Sequence, residues 1–382
     1  MTELHLPGFG PHRMAEPAHL DLPAGPSAAR TVFAAAHVVA DPLGHNAPGA
    51  PATVDWDTTL AFRHHLWFLG LGVADAMDTA QRGMGLDWAA TKELITRSGA
   101  EARAVGGRLA CGAGTDQLSP GPHTLDAITA AYEEQLATVE QAGAQPILMA
   151  SRALAACAAG PEDYLRIYGR LIGQVRRPVI LHWLGEMFDP ALAGYWGSTD
   201  LDRATDTVLA LITEHAERID GIKISLLDAD REIALRRALP AGVRLYTGDD
   251  FNYPQLIRGD ELGHSHALLG IFDPIAPVAA AALHALDTGD LDRYEALLAP
   301  TVPLARHLFA APTFHYKTGV VFLAWLAGHQ DHFTMVAGAQ SGRSVPHLIE
   351  LFRLADTAGI LADPDLAADR MRRFLAVAAP TG

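Results

Sequence analysis

Residues 178–225 hold two short apolar runs, Pro178-Val-Ile-Leu-His-Trp-Leu184 and Ile219-Asp-Gly-Ile-Lys-Ile-Ser225, joined by a segment of helical spacing over 201–218. Short apolar runs that do not alternate with polar residues read as strands buried on both faces, as in a parallel sheet covered by helices. Working outward, the same unit recurs. Strand-like runs stand at 31–37, 71–76, 107–111, 146–150, 179–184, 221–224, 243–246 and 267–272, with helical patterns at 56–70, 88–97, 124–142, 161–175 and 201–218. Eight such units in about 250 residues predict an α/β fold, a (β/α)8 TIM barrel, over residues 31–288. Residues 1–30, rich in Pro, Gly and His, read as an N-terminal arm. Residues 289–382 read as a helical C-terminal extension, with helices at 291–299, 302–311, 319–327 and 345–358. A doubly wound dinucleotide fold fits less well, because Gly112-Ala-Gly114-Thr-Asp-Gln117 lacks the third glycine of the phosphate fingerprint.

Composition narrows the function classes. The chain has 382 residues, 49% hydrophobic and 19% charged, a globular balance. Its 44 acidic and 29 basic residues give a net charge of −15, which disfavours nucleic acid and anionic membranes as partners. Two cysteines, Cys111 and Cys157, build neither a disulfide framework nor a zinc ribbon, so a reducing compartment is expected. The first residues lack the basic and apolar regions of a secretory signal. The longest apolar run, around 318–328, is shorter than the ~18 residues of a membrane span. The expectation is a cytoplasmic protein acting on a small molecule.

Three of the 29 basic residues are lysines: Lys92, Lys223 and Lys317. Arginine keeps its proton in a protein, whereas a buried lysine can lose it and attack a carbonyl as a neutral amine. Lys223 falls within the sixth strand, whose C-terminal end faces the side of a barrel where active sites form. Asp249 and Asp250, at the end of the next strand, are possible ion-pair partners for it. Lys92 sits in a polar helical stretch and reads as solvated. Lys317, in Thr313-Phe-His-Tyr-Lys-Thr-Gly319, reads as an ion-pair partner, and Cys111 as a small core residue.

Four segments resemble, in order and approximate spacing, the dihydrodipicolinate synthase / N-acetylneuraminate lyase family of class I aldolases. Asp220-Gly-Ile-Lys-Ile224 is similar to its Schiff-base lysine motif, and Pro178-Val-Ile-Leu-His-Trp183 to the strand carrying its catalytic tyrosine. Leu245-Tyr-Thr-Gly-Asp-Asp250 resembles its Gly-Asp-Asp element, and Leu109-Ala-Cys-Gly-Ala-Gly-Thr115 its third-strand glycine motif. The resemblance implies a cofactor-independent lyase that forms an imine through Lys223, assembled as a homo-oligomer (a dimer or tetramer). Where the family has Tyr-Asn this chain has His182-Trp183, so His182 is expected to take over proton transfer. The family's Gly-Thr-Thr-Gly-Glu loop appears as Asp78-Thr-Ala-Gln-Arg-Gly83, and the arginine that follows the tyrosine in the synthases is unmatched, with Glu186 nearby instead. These departures turn the expectation from a plain keto-acid towards a keto-sugar or sugar-derived keto-acid, bound by Asp78, Thr79, Gln81, Glu186, Asp249 and Asp250, with cleavage or elimination at the adjacent carbon. If His182 is structural, a water or Tyr246 is the next proton carrier.

Two other classes remain open on the residues alone. His37, His182, Glu186 and Asp250 could meet at strand ends as ligands of a metal-dependent isomerase or hydrolase. A non-catalytic sugar-binding barrel would keep the pocket and lose turnover. The His264-Ser-His266 pair precedes the eighth strand and belongs to the opposite face, while His64-His65 and His329-Gln-Asp-His332 lie in helical context. No metal is expected.

Overall fold

In the computed structural model, which describes residues 2–378, all eight apolar runs become parallel strands. After an N-terminal hairpin, β1 (Glu3–Leu6) and β2 (Gly10–Arg13), they are β3 (Val32–Ala35), β4 (Gly72–Asp75), β5 (Leu109–Ala113), β6 (Gln145–Leu148), β7 (Val179–Leu184), β8 (Ile219–Ser225), β9 (Arg244–Thr247) and β10 (His266–Leu269). Strands β3 to β10 pair in chain order and β10 closes on β3, giving a (β/α)8 barrel.

Alternation along each strand separates two cores. Outward residues such as Ile222, Leu245 and Leu269 join the main core beneath the helices. Inward residues fill the barrel, with Phe33, Ile180, Tyr246 and Leu268 packed together beside Ala35, Met77 and Met149. The helices start where the sequence offers caps. Asp87 accepts from Ala90 N ahead of Trp88–Val105, Asp200 accepts from Asp202 N and Arg203 N ahead of Leu201–Glu214, and Pro161 opens Pro161–Gln174.

Five helices lie outside the expected patterns, the short Arg152–Cys157 among them. Ala276–Asp287 is alanine-rich and buried nearly all round, so no polar face marks its period. Ala229–Ala238 and Tyr253–Arg258 are short, and Pro364–Ala378 ends the described chain. The apolar run near 318–328 proves to be Tyr316–Leu326, an interior helix with every residue buried, which reaches the turn after β4. The N-terminal hairpin buries Leu4 and Leu6 and is tied down by Asp356, which accepts from Ala15 N at 3.1 Å. Among the described residues no helix is long and apolar enough to cross a membrane.

Candidate active site

Strands β7 and β8 set His182 opposite Lys223 in the parallel ladder, so both side chains enter the barrel from neighbouring strands. Lys223 is buried at 8% exposure. Burial pushes its ammonium below the usual lysine range, while Asp78 and Asp250 pull it back up. His182 is wholly buried, and burial, then the Lys223 charge, holds it well below the usual imidazole value; it is neutral at neutral pH. Its Nε2 lies 3.4 Å from Ser225 Oγ, and its Nδ1 has no hydrogen-bond partner among the described residues. Gly248 makes room for the lysine: a Cβ there would stand 2.7 Å from Lys223 Cε and 2.2 Å from Ser225 Oγ.

The expected polar residues separate into two groups. Asp78, Thr79 and Asp250 line a narrow cleft with Lys223, Ser225 and Tyr316. The cleft holds about 10 Å³, room for about one water. Asp250 Oδ1 accepts from Ile271 N at 2.8 Å. Burial raises its carboxyl to about 7 against that bond and Lys223, with Asp249 adding to the rise. Thr79 Oγ1 lies 2.8 Å from the Tyr316 hydroxyl.

The other three take different places. Asp249 caps its own turn, accepting from Phe251 N, Asn252 N and Asn252 Nδ2. Gln81 donates to Met84 O at 3.2 Å and Val336 O at 3.0 Å, clasping the loop to the C-terminal region. Glu186 is exposed on the loop after β7 and lines neither the cleft nor the cavity beside it. Those three positions are corrected accordingly: proximity in sequence to the strand ends does not carry their side chains inward. Tyr246 is corrected too. Although inward-facing, it donates to Asp220 Oδ2 at 2.6 Å, and both residues line a separate cavity at the N-terminal ends of the strands.

A cavity of about 740 Å³ adjoins the cleft, with Asp78 and Leu184 lining both and His182 in its wall. Its lining guanidiniums are already paired. Arg82 is clamped by Asp116 and donates to Gln135 Oε1 at 2.6 Å, and Arg152 Nε donates to Asp189 at 2.5 Å. Ser151 caps the short helix Arg152–Cys157 at this wall, accepts from Leu154 N at 3.0 Å and lies 2.6 Å from Thr115 Oγ1. Behind it, the Tyr195 hydroxyl accepts from Ser151 N at 3.0 Å and lies 2.8 Å from the Tyr168 hydroxyl. One side of the cavity is thus polar, while Leu118, Met149, Leu184 and Leu192 make much of the remaining lining apolar.

Sequence reasoning missed Tyr316, Ser225 and the depth of Lys317. Lys317 is buried; burial lowers its ammonium to about 8, against the pull of Asp78. The Asp78 charge therefore acts on both buried lysines, raising each against its burial. Thr79 and Tyr316 are 237 positions apart, a pairing that local pattern does not reveal. Ser225, though, ends the quoted strand in phase with Lys223 and was recoverable from that alternation.

The metal alternative finds its residues dispersed. His37 Nδ1 lies 2.8 Å from Asp273 Oδ2, His182 meets Ser225, and Glu186 is on the surface. Among the described residues no three His, Cys, Asp or Glu side chains converge as a metal centre.

Barrel and helical tail together define a class. The chain has the fold of the dihydrodipicolinate synthases. It is similar to the synthase from Aquifex aeolicus at 14% identity and TM-score 0.65, over 87% of this chain and 98% of that one. A prophage protein of the dihydrodipicolinic acid synthase family from E. coli, crystallised with pyruvate, matches at 15% identity and TM-score 0.67, over 87% and 99%. The synthase from Thermotoga maritima matches at 13% identity and TM-score 0.64, over 87% and 99%. Within that fold the chain belongs to the family described as "Protein of unknown function (DUF993)", which it matches over residues 8–379. Comparison with curated protein sequences gives no match.

Proposed function

We propose that the protein is a class I aldolase-type lyase that forms an imine between Lys223 and the ketone of a polyhydroxylated substrate. The observation that carries this is the pairing of a buried, charge-disfavoured lysine with a neutral histidine across β7 and β8, beside a cavity of substrate size. The shared fold with dihydrodipicolinate synthases supports it.

The chemistry runs on this chain's own groups. Asp250, with its carboxyl raised to about 7, takes the proton that frees the Lys223 amine. The amine attacks the carbonyl carbon, and the carbinolamine loses water to give the iminium. Removal of a proton from the hydroxyl two carbons away drives cleavage of the intervening C–C bond. That electron pair flows into the iminium, leaving an enamine and a released aldehyde. His182 Nδ1, neutral and without a partner among the described residues, is the acceptor for that proton. Tyr316 and Thr79 offer hydroxyls beside the imine carbon.

The polar side of the cavity suits a neutral, hydroxyl-bearing substrate. Its guanidiniums are engaged by Asp116 and Asp189, while Asp78, Ser151 and Thr115 present acceptors and donors for hydroxyls. A panel of keto-sugars and sugar-derived keto-acids, assayed for aldehyde release, tests the reading. Turnover of at least one member by the native enzyme, lost in Lys223→Arg, is expected. Equal turnover in that variant overturns it.

A further inference from the structure

The opposite end of the barrel holds a second cavity, of about 550 Å³, framed by the N-terminal ends of the strands. Four arginines line it: Arg103, Arg108, Arg177 and Arg244. Asp220 is the one acidic residue in that lining, and it is already engaged by Arg244 and by the Tyr246 hydroxyl. Arg103 donates to Ala142 O, and Arg108 reaches Gly70 O at 3.5 Å. Among the described residues neither these two nor Arg177 has a carboxylate within ion-pair distance. The chain as a whole carries −15, so three uncompensated guanidiniums around one concavity run against its overall charge balance. Burial, and with it the Arg244 charge, disfavours the Arg108 guanidinium, a cost that an anion would relieve.

We infer that this cavity binds a phosphorylated small molecule, its phosphoryl oxygens held by Arg103, Arg108 and Arg177. The choice of phosphoryl over carboxylate rests on geometry. A carboxylate presents one planar edge, which a single guanidinium fork satisfies. A phosphoryl group spreads its oxygens tetrahedrally and accepts from several forks at once. Arg108 also lies 5.9 Å from the Phe33 ring, and Phe33 and Tyr246 give the cavity an aromatic floor for the organic part of the ligand. Because the site lies at the far end of the barrel from Lys223, it is independent of the proposed chemistry.

Calorimetric titration of the full chain with pyrophosphate tests the inference, with citrate at matched ionic strength as the second arm. Saturable pyrophosphate binding, tighter than citrate, is expected. Arg177→Gln, at an exposed position that leaves the fold intact, should weaken it about tenfold, the loss of one charge-assisted contact. The double variant Arg108→Gln/Arg177→Gln should abolish it, with an unchanged circular dichroism spectrum. No saturable binding at millimolar pyrophosphate, tighter binding of citrate, or full affinity in the double variant would each overturn the assignment.

Discussion

Replacing Glu232 by glutamine should make the protein more stable, and increasingly so as pH rises. Glu232 lies in the helix Ala229–Ala238 and is 1% exposed, between the Thr247 hydroxyl at 3.0 Å and the Ser265 hydroxyl at 2.7 Å. It thereby ties the end of β9, just before the Gly248-Asp249-Asp250 turn, to the start of β10. Burial raises its carboxyl from 4.5 to about 8, against those two hydrogen bonds. A raised folded value means that the folded chain binds the extra proton between those limits. Stability therefore falls as pH climbs from about 4.5 to about 8. Each pKa unit is worth about 1.4 kcal/mol, so the accumulated penalty by pH 8 is on the order of 4 kcal/mol. Glutamine keeps an acceptor for one hydroxyl and carries no charge to desolvate. Urea unfolding of native protein and Glu232→Gln at a series of pH values between 5 and 8 reads the effect directly. The two midpoints should nearly coincide at pH 5 and diverge steadily above it, the variant being the more stable. Parallel curves, or a variant destabilised at every pH, would refute the reasoning and make Glu232 an ordinary ionised carboxylate.

Other consequences follow from the same geometry. His182→Phe should lower turnover about 10²–10⁴-fold, the usual contribution of a general acid or base, while Lys223 still forms a trappable adduct; near-native turnover would return His182 to a packing role. Arg63 and Asp75 form a fully buried pair, with Nη2 to Oδ1 at 2.8 Å and Nε to Oδ2 at 3.1 Å, that fixes the end of β4 ahead of Asp78. Arg63→Met leaves the carboxylate unpaired and should cost about 3–5 kcal/mol in a denaturant titration. Gly248→Ala drives a methyl to 2.7 Å from both Lys223 Cε and Ile224 O, so adduct formation should fall sharply and a denaturant titration should show a less stable barrel.

The barrel was legible because strands buried on both faces leave short apolar runs, and all eight expected runs overlap observed strands. Helices that show one polar face were legible for the same reason, and Ala276–Asp287, with almost none, was not. At the site, strand alternation places Lys223 and His182 side by side across β7 and β8, but alternation says nothing of which end a side chain serves. Tyr246 faces inward like Lys223 and belongs to the opposite mouth. Loop carboxylates were harder. Asp249 is consumed by its own turn and Glu186 by solvent, outcomes decided by backbone path rather than residue type. Tyr316 arrives on a distant helix, so its place beside Thr79 depends on tertiary packing alone.

Lys223 is the residue that attacks the ketone. Incubating the native chain with the ketone panel and borohydride, then mapping the peptides by mass spectrometry, tests it most directly, since reduction converts an imine to a stable secondary amine. One reduced adduct per chain on the peptide carrying Lys223, and none in Lys223→Arg, is the predicted result. An adduct on Lys317 instead, the other buried lysine beside Asp78, would contradict the account, as would a ketone turned over with no adduct at all.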